Sequence, residues 1–253
     1  GIGNGSGTGA AVARLFAQKG YAVALISRGP EPLEVVAKAI KATGGAAEAF
    51  PVSNYGAEDI AAAFANVQSR FPAPEYAITV AIFNAGHGVW KPFLDITPED
   101  IKATTSVNID GAFAFSRAAI LAFQKNELTS NGARGTLIFS GATASLRGNI
   151  RTSAFASGKF AVRALSQSLA KEFGKQNIHV SHVIIDGGIS TANKPIVNGT
   201  RGDVGAPSDF IENTTPDLRL SPEALADTYL TLTNQDRSAW TWEIDVRPAH
   251  ENW

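Results

Sequence analysis

Cysteine does not occur among the 253 residues, which excludes disulfides, thiolate metal sites and a cysteine nucleophile. The four histidines, His87, His179, His182 and His250, show no HxxxH or HExxH spacing, so no metal site is expected. No run of about 18 apolar residues occurs, and no membrane span is expected. An excess of one charge is also missing: 22 Lys and Arg face 23 Asp and Glu, for a net charge of −1. This balance offers no basic face to nucleic acid or an anionic membrane and directs attention to small-molecule chemistry. A cytoplasmic location is the default expectation.

Methionine is absent too, even at position 1, and the chain opens on a glycine turn with no strand before it. A translated protein has an initiator and an open α/β sheet has a first strand, so we expect the natural chain to begin earlier. A targeting segment ahead of Gly1 stays open. Loss of modified methionines from the sequence is the alternative, and it would alter the spacings.

What is present is a 44% hydrophobic content, enough for a packed core, with no linker-like shift in composition. A single domain over 1–253 is expected. Short β-rich apolar runs alternate with longer stretches of helical period. Helices are predicted over 7–19, 32–43, 57–71, 98–128, 153–175 and 222–234. Strands are predicted over 22–27, 46–50, 77–83, 135–140, 179–185 and 240–246. This alternation predicts an α/β fold of Rossmann type, a doubly wound parallel sheet with helices on both faces in three αβα layers. The segment 187–219, rich in Gly, Pro, Asn and Thr, reads as a substrate lid within the domain or as a linker.

The opening Gly3-Asn4-Gly5-Ser6-Gly7-Thr8-Gly9 runs straight into a helix. Glycines there let the backbone approach a pyrophosphate, while free N–H groups and the helix dipole favour its charge. A glycine cluster alone can be a plain loop; the following helix and β-rich run Ala22-Val23-Ala24-Leu25-Ile26 supply a βαβ context. At the end of that strand stand Ser27 and Arg28, where a protein preferring NAD places an acidic residue against the ribose. A guanidinium suits a 2′-phosphate, so NADP(H) is the expected cofactor. A solvent-facing Arg28 is the bland alternative.

Together with Asn84-Ala85-Gly86 after a strand and Asn108 within Ser106-Val107-Asn108-Ile109-Asp110-Gly111, this spacing resembles the short-chain dehydrogenase/reductase family over nearly the whole chain. The resemblance implies cofactor contacts from Gly3 to Gly9, Ser27, Arg28, Val52, Asn84, Ala85 and Gly86. It adds Lys159, Asp186, Gly187, Ile189 and Thr191. It also implies a catalytic set of an Asn, a Ser and a Tyr-x-x-x-Lys pair. The Tyr moves the proton, the Ser holds the carbonyl oxygen, the Lys binds the nicotinamide ribose and lowers the Tyr pKa, and the Asn anchors a relay water.

Asn108 and Lys159 match that set, but Phe155 occupies the Tyr position and Ala142 the Ser position, thirteen residues before Phe155. Ile2 and Pro51 also depart from the family's usual Thr and Asp. A positioned general acid contributes about 10²–10⁴ in rate, so ordinary ketone reduction should be crippled. Three escapes are open. Ser145, Thr143 or Asp186 could supply a donor, although Ser145 could equally close a turn and Asp186 cap a loop; His87 is a further candidate. A substrate such as an iminium ion needs no proton, with Phe155 as a cation–π wall. The third is an NADP(H)-binding protein without redox turnover, a sensor, scaffold or isomerase. The first two describe an NADP-dependent short-chain oxidoreductase acting on a small organic carbonyl or imine.

The stripe Phe160, Val162, Leu165 and Leu169 reads as core or subunit contact, and the resemblance implies a homodimer or homotetramer. Trp240, Trp242 and Trp253 read as core or interface anchors.

Overall fold

The computed structural model describes residues 1–191 and 219–249; most of the expected lid, His250 and Trp253 lie outside them. Eight strands and seven α-helices alternate among these residues, every ladder is parallel, and the α/β class expected above is the one observed.

The first half holds α1 (Thr8–Gln18), β1 (Ala22–Ser27), α2 (Pro30–Ala42), β2 (Ala46–Pro51), α3 (Ala57–Arg70) and β3 (Val80–Phe83). Helix α2 shows why such segments fold as they do. Pro30 opens it with φ pre-set, and Leu33, Val36, Ala37 and Ile40 recur on one buried face. Gly44, at φ +83, then turns the chain. Strands β1 and β2 pair from Ala22 opposite Ala46 to Ser27 opposite Pro51.

The second half holds α4 (Pro98–Thr105), a π turn at Ser106–Asp110, α5 (Gly111–Phe123), β4 (Gly135–Ser140), α6 (Ser153–Phe173) and β5 (Ile178–Ile185). It ends with β6 (Gly188–Ile189), β7 (Arg219–Leu220), α7 (Pro222–Thr233) and β8 (Glu243–Val246). The order β3-β4-β5-β8 forms one sheet, and β6 with β7 a small third one. Every residue of β4 and β5 is buried, as strands covered by helices on both faces must be. Leu137 and Phe139 face the cluster of α3, α5 and α6, whereas Ile138 faces α1 and α7; the three layers follow from that alternation.

β1 and β3 are not hydrogen-bonded to each other. Between them lies a cavity of about 240 Å³ whose lining includes Gly1, Ile2, Leu25, Phe64, Ala81 and Phe83.

Several expectations need correction. The helix expected over 98–128 contains the π turn and stops at Phe123, because Asn126 leaves the helical path to donate to the Ile78 and Arg134 carbonyls. A capping box between Thr97 and Asp100 starts α4. The strand expected over 77–83 begins at Val80, and that over 240–246 at Glu243. There the Trp240 ring stacks on His179 at 5.0 Å, and its indole N–H donates to the Gln235 carbonyl. The stripe on α6 divides: Val162 and Leu165 join the core, Leu169 packs against it, and Phe160 is exposed.

Candidate active site

The glycine turn takes its shape from close approach. Gly3 and Gly5 sit at φ +61 and +88, backbone that side chains resist. A Cβ on Gly9 would stand 2.2 Å from the Gly1 carbonyl oxygen and 3.0 Å from Asn84 Nδ2, so only glycine fits. Asn4 and Ser6 are bonded within the turn, the Asn4 Oδ1 accepting from the Ser6 N–H and hydroxyl. Helix α1 starts at Gly7 without a side-chain cap, and the buried Thr8 hydroxyl at its start has no protein partner. Unsatisfied donors at a helix start suit an anion.

At the carboxyl end of β1, the exposed Arg28 lies 5.3 Å from the centroid of the Tyr55 ring, a stacking that holds the guanidinium in place. The adjacent Ser27 carbonyl accepts from the Val52 N–H. Asn84 ties the turn to the central sheet: its Nδ2 donates to the Gly1 carbonyl at 2.8 Å and its Oδ1 accepts from the Ser140 hydroxyl at 2.7 Å. Ser140 in turn meets the buried Tyr229 hydroxyl at 2.6 Å. Thr191 reaches the same place from the other side, its Cγ2 lying 3.8 Å from where a Gly7 Cβ would be.

Asn108 sits in the π turn, a device often found at functional sites, and is 1% exposed. Its amide grips one residue twice, accepting from the His87 N–H at 2.9 Å and donating to the His87 carbonyl at 2.8 Å. Helix α6 packs closely on Asn108 because residue 158 is glycine; a Cβ there would lie 2.6 Å from Asn108 Nδ2. Next along α6, Lys159 is buried, and its Nζ donates to the Ser140 carbonyl at 2.8 Å. Desolvation pulls its pKa down from 10.5 to about 8.

Around these groups stand the residues without the family's hydroxyls. The Phe155 ring packs against Trp90, centroids 5.1 Å apart, with Lys159 Nζ 5.9 Å from its centre. Ser145 is fully buried, and its Oγ accepts the Ala142 N–H at 3.1 Å, closing a turn. The turn-closing role named for Ser145 is the one this hydrogen bond shows. Thr143 donates its hydroxyl to Asp186, which is 3% exposed and lies 3.2 Å from Arg247 and 3.8 Å from Arg147. Gly187 and Ile189 follow at the start of the segment that pairs with β7.

Behind Lys159, the fully buried His182 on β5 places Nδ1 3.0 Å from Glu243, which Arg163 of α6 holds bidentately at 2.6 and 2.8 Å. Its Nε2 has no partner, and burial lowers its pKa to about 4. Sequence reasoning missed this buried, hydrogen-bonded histidine, together with Tyr55, Trp90, Tyr229 and Arg247. Their partners are distant in the chain, and no local motif joins them. Among the described residues no cluster of His, Asp or Glu could hold a metal, and no helix is long and apolar enough to cross a membrane.

The family profile described as short chain dehydrogenase matches residues 2–200. The chain is 31% identical over 190 residues to carbonyl reductase family member 4 of Xenopus laevis, covering 75% of this chain and 74% of that one. It is 30% identical over 183 residues to 2,3-dihydro-2,3-dihydroxybenzoate dehydrogenase of Bacillus subtilis, covering 72% and 66%. A solved short-chain dehydrogenase from Rhodopseudomonas palustris superposes with a TM-score of 0.75 at 29% identity, over 98% of this chain and 95% of the other. With the glycine turn, Asn84, Asn108 and Lys159 gathered at one end of the sheet, the chain belongs to the short-chain dehydrogenase family, and its relatives are oxidoreductases.

Proposed function

We propose that this chain is an NADP(H)-dependent oxidoreductase with an atypical catalytic corner, acting on a small organic carbonyl or imine. The observation that carries the reading is the uncapped start of α1, with its buried and unpartnered Thr8 hydroxyl beside glycines that tolerate no side chain. Such a start is fitted to a pyrophosphate. Arg28, exposed and held over Tyr55, is suited to the 2′-phosphate. Lys159, with one N–H on the Ser140 carbonyl, keeps others for a ribose, and Asn108 fixes the loop at His87. Val52, Ala85, Gly86, Asp186, Gly187, Ile189 and Thr191 complete the cofactor surface in this reading. When bound, the reduced nicotinamide supplies hydride. Phe155 and Trp90 form an apolar wall for the substrate.

Exposed Ile101 on α4, Phe113 on α5 and Phe160 on α6 favour a homodimer or homotetramer through these helices, and a cytoplasmic location fits the charge balance.

A second reading, NADP(H) binding without redox turnover, is favoured by the state of the two hydroxyls nearest Ala142: Thr143 donates to Asp186, and Ser145 is fully buried with its Oγ accepting from the Ala142 N–H. Mixing the protein with NADPH and a panel of ketones, aldehydes and cyclic imines, while following the reduced-nicotinamide absorbance band, separates the two. Oxidation with any substrate supports the first; tight calorimetric binding with no oxidation supports the second. No binding at all sinks both.

A further inference from the structure

Resting on the hydride-transfer reading, we propose that Lys159 is itself the general acid, its Nζ giving a proton to the substrate oxygen or nitrogen in place of the absent Tyr hydroxyl. The neighbouring hydroxyls and carboxylate are buried or engaged. Ser145 is buried in its turn, Thr143 has committed its hydrogen to Asp186, and Asp186 is held between Arg247 and Arg147.

Lys159 is differently placed. One N–H lies on the Ser140 carbonyl, which leaves two. The ammonium lies beside the exposed Gly86, which carries no side chain: a Cβ at that position would stand 3.6 Å from Nζ. The Phe155 ring, 5.9 Å away at its centroid, excludes water from the opposite side without competing for the proton. Charged groups facing Lys159 from other elements are engaged with each other: Glu243 of β8 is gripped by Arg163 of α6 and bonded to His182 of β5. Asn108 and the His87 loop, bonded together, complete the surroundings. Burial therefore acts on the ammonium without an ion partner and brings its pKa to about 8, near the pH at which a general acid is most effective.

The step balances. As hydride from NADPH bonds to the electrophilic carbon, the C=O or C=N π pair moves to the heteroatom. That atom takes a proton from Nζ, the N–H pair stays on nitrogen as a neutral amine, and solvent reprotonates it. NADP⁺ and alcohol or amine leave.

The test uses the full chain with NADPH and whichever panel substrate turns over. Wild-type kcat should be level below about pH 8 and fall above it, and lysine labelled with ¹³C and ¹⁵N should show by NMR that Lys159 titrates with the same midpoint. Lys159→Arg keeps the charge but cannot release a proton, so it should lose about 10²-fold or more in kcat together with the alkaline limb, while calorimetry still detects NADPH binding. Lys159→Ala should regain rate with added methylammonium, a readout that holds if the Arg variant fails to fold. A limb that persists in Lys159→Arg, disappears instead in His87→Gln, or departs from the NMR midpoint overturns the assignment and leaves hydride transfer standing. NADPH binding without turnover by the wild type overturns both.

Discussion

The glycine turn and the corner at Phe155 lie at the same end of one sheet, yet they treat polar groups in opposite ways. At the turn, a helix start and the Thr8 hydroxyl are left without protein partners, as in a surface built to receive an anion. At the corner, Thr143 donates to Asp186, Ser145 closes its turn, and the Phe155 ring packs on Trp90. Binding capacity and proton transfer are thus separable here: the first depends on groups left open, the second on a donor the corner lacks apart from Lys159.

The sharpest way to break this contrast is Phe155→Tyr. If the corner differs from the family's only by its missing donor, ketone reduction should rise by about 10²-fold, measured as kcat with NADPH; no gain means that the pocket has been reshaped around the ring. Arg28→Glu probes the binding half. Losing a charge-assisted contact worth roughly 1.5–3 kcal/mol should weaken NADPH by about 10–100-fold in calorimetry while NADH changes little, and equal losses for both would remove Arg28 from the phosphate.

A smaller effect separates support from chemistry. The His182 pKa is about 4 when folded against 6.5 in the free side chain, so the unfolded chain binds more protons between those values. The stability this neutral histidine contributes is full above pH 6.5 and is lost as pH falls toward 4. His182→Gln should flatten the fall of the thermal midpoint across that window without moving the alkaline limb assigned to Lys159; an unchanged slope would place the acid sensitivity elsewhere.

Much of the scaffold was legible in the residues because it is periodic. The runs over 22–27 and 135–140 coincide with β1 and β4, since strands of a parallel sheet read as continuous apolar stretches bounded by turns. Helix 98–128 was read too long because Lys125, Glu127 and Leu128 are ordinary helix formers. Nothing local announces that the Asn126 side chain will bond carbonyls from two other segments. Asn108 and Lys159 were legible as members of a spaced motif. The turn at Ser145 was not legible, because the place of a hydroxyl in the sequence says nothing about which way its turn closes.

The order of helices and strands, the glycine turn, the basic residue after β1 and the loss of two hydroxyls all belonged to the sequence itself, since each depends on residues near one another in the chain. Which polar groups remain free to act was decided only by the tertiary structure. Hydrogen bonds between Thr143 and Asp186, Asn108 and His87, or Lys159 and Ser140 depend on where the sheet brings distant segments together. A buried group's chemistry is set by the partners it finds there.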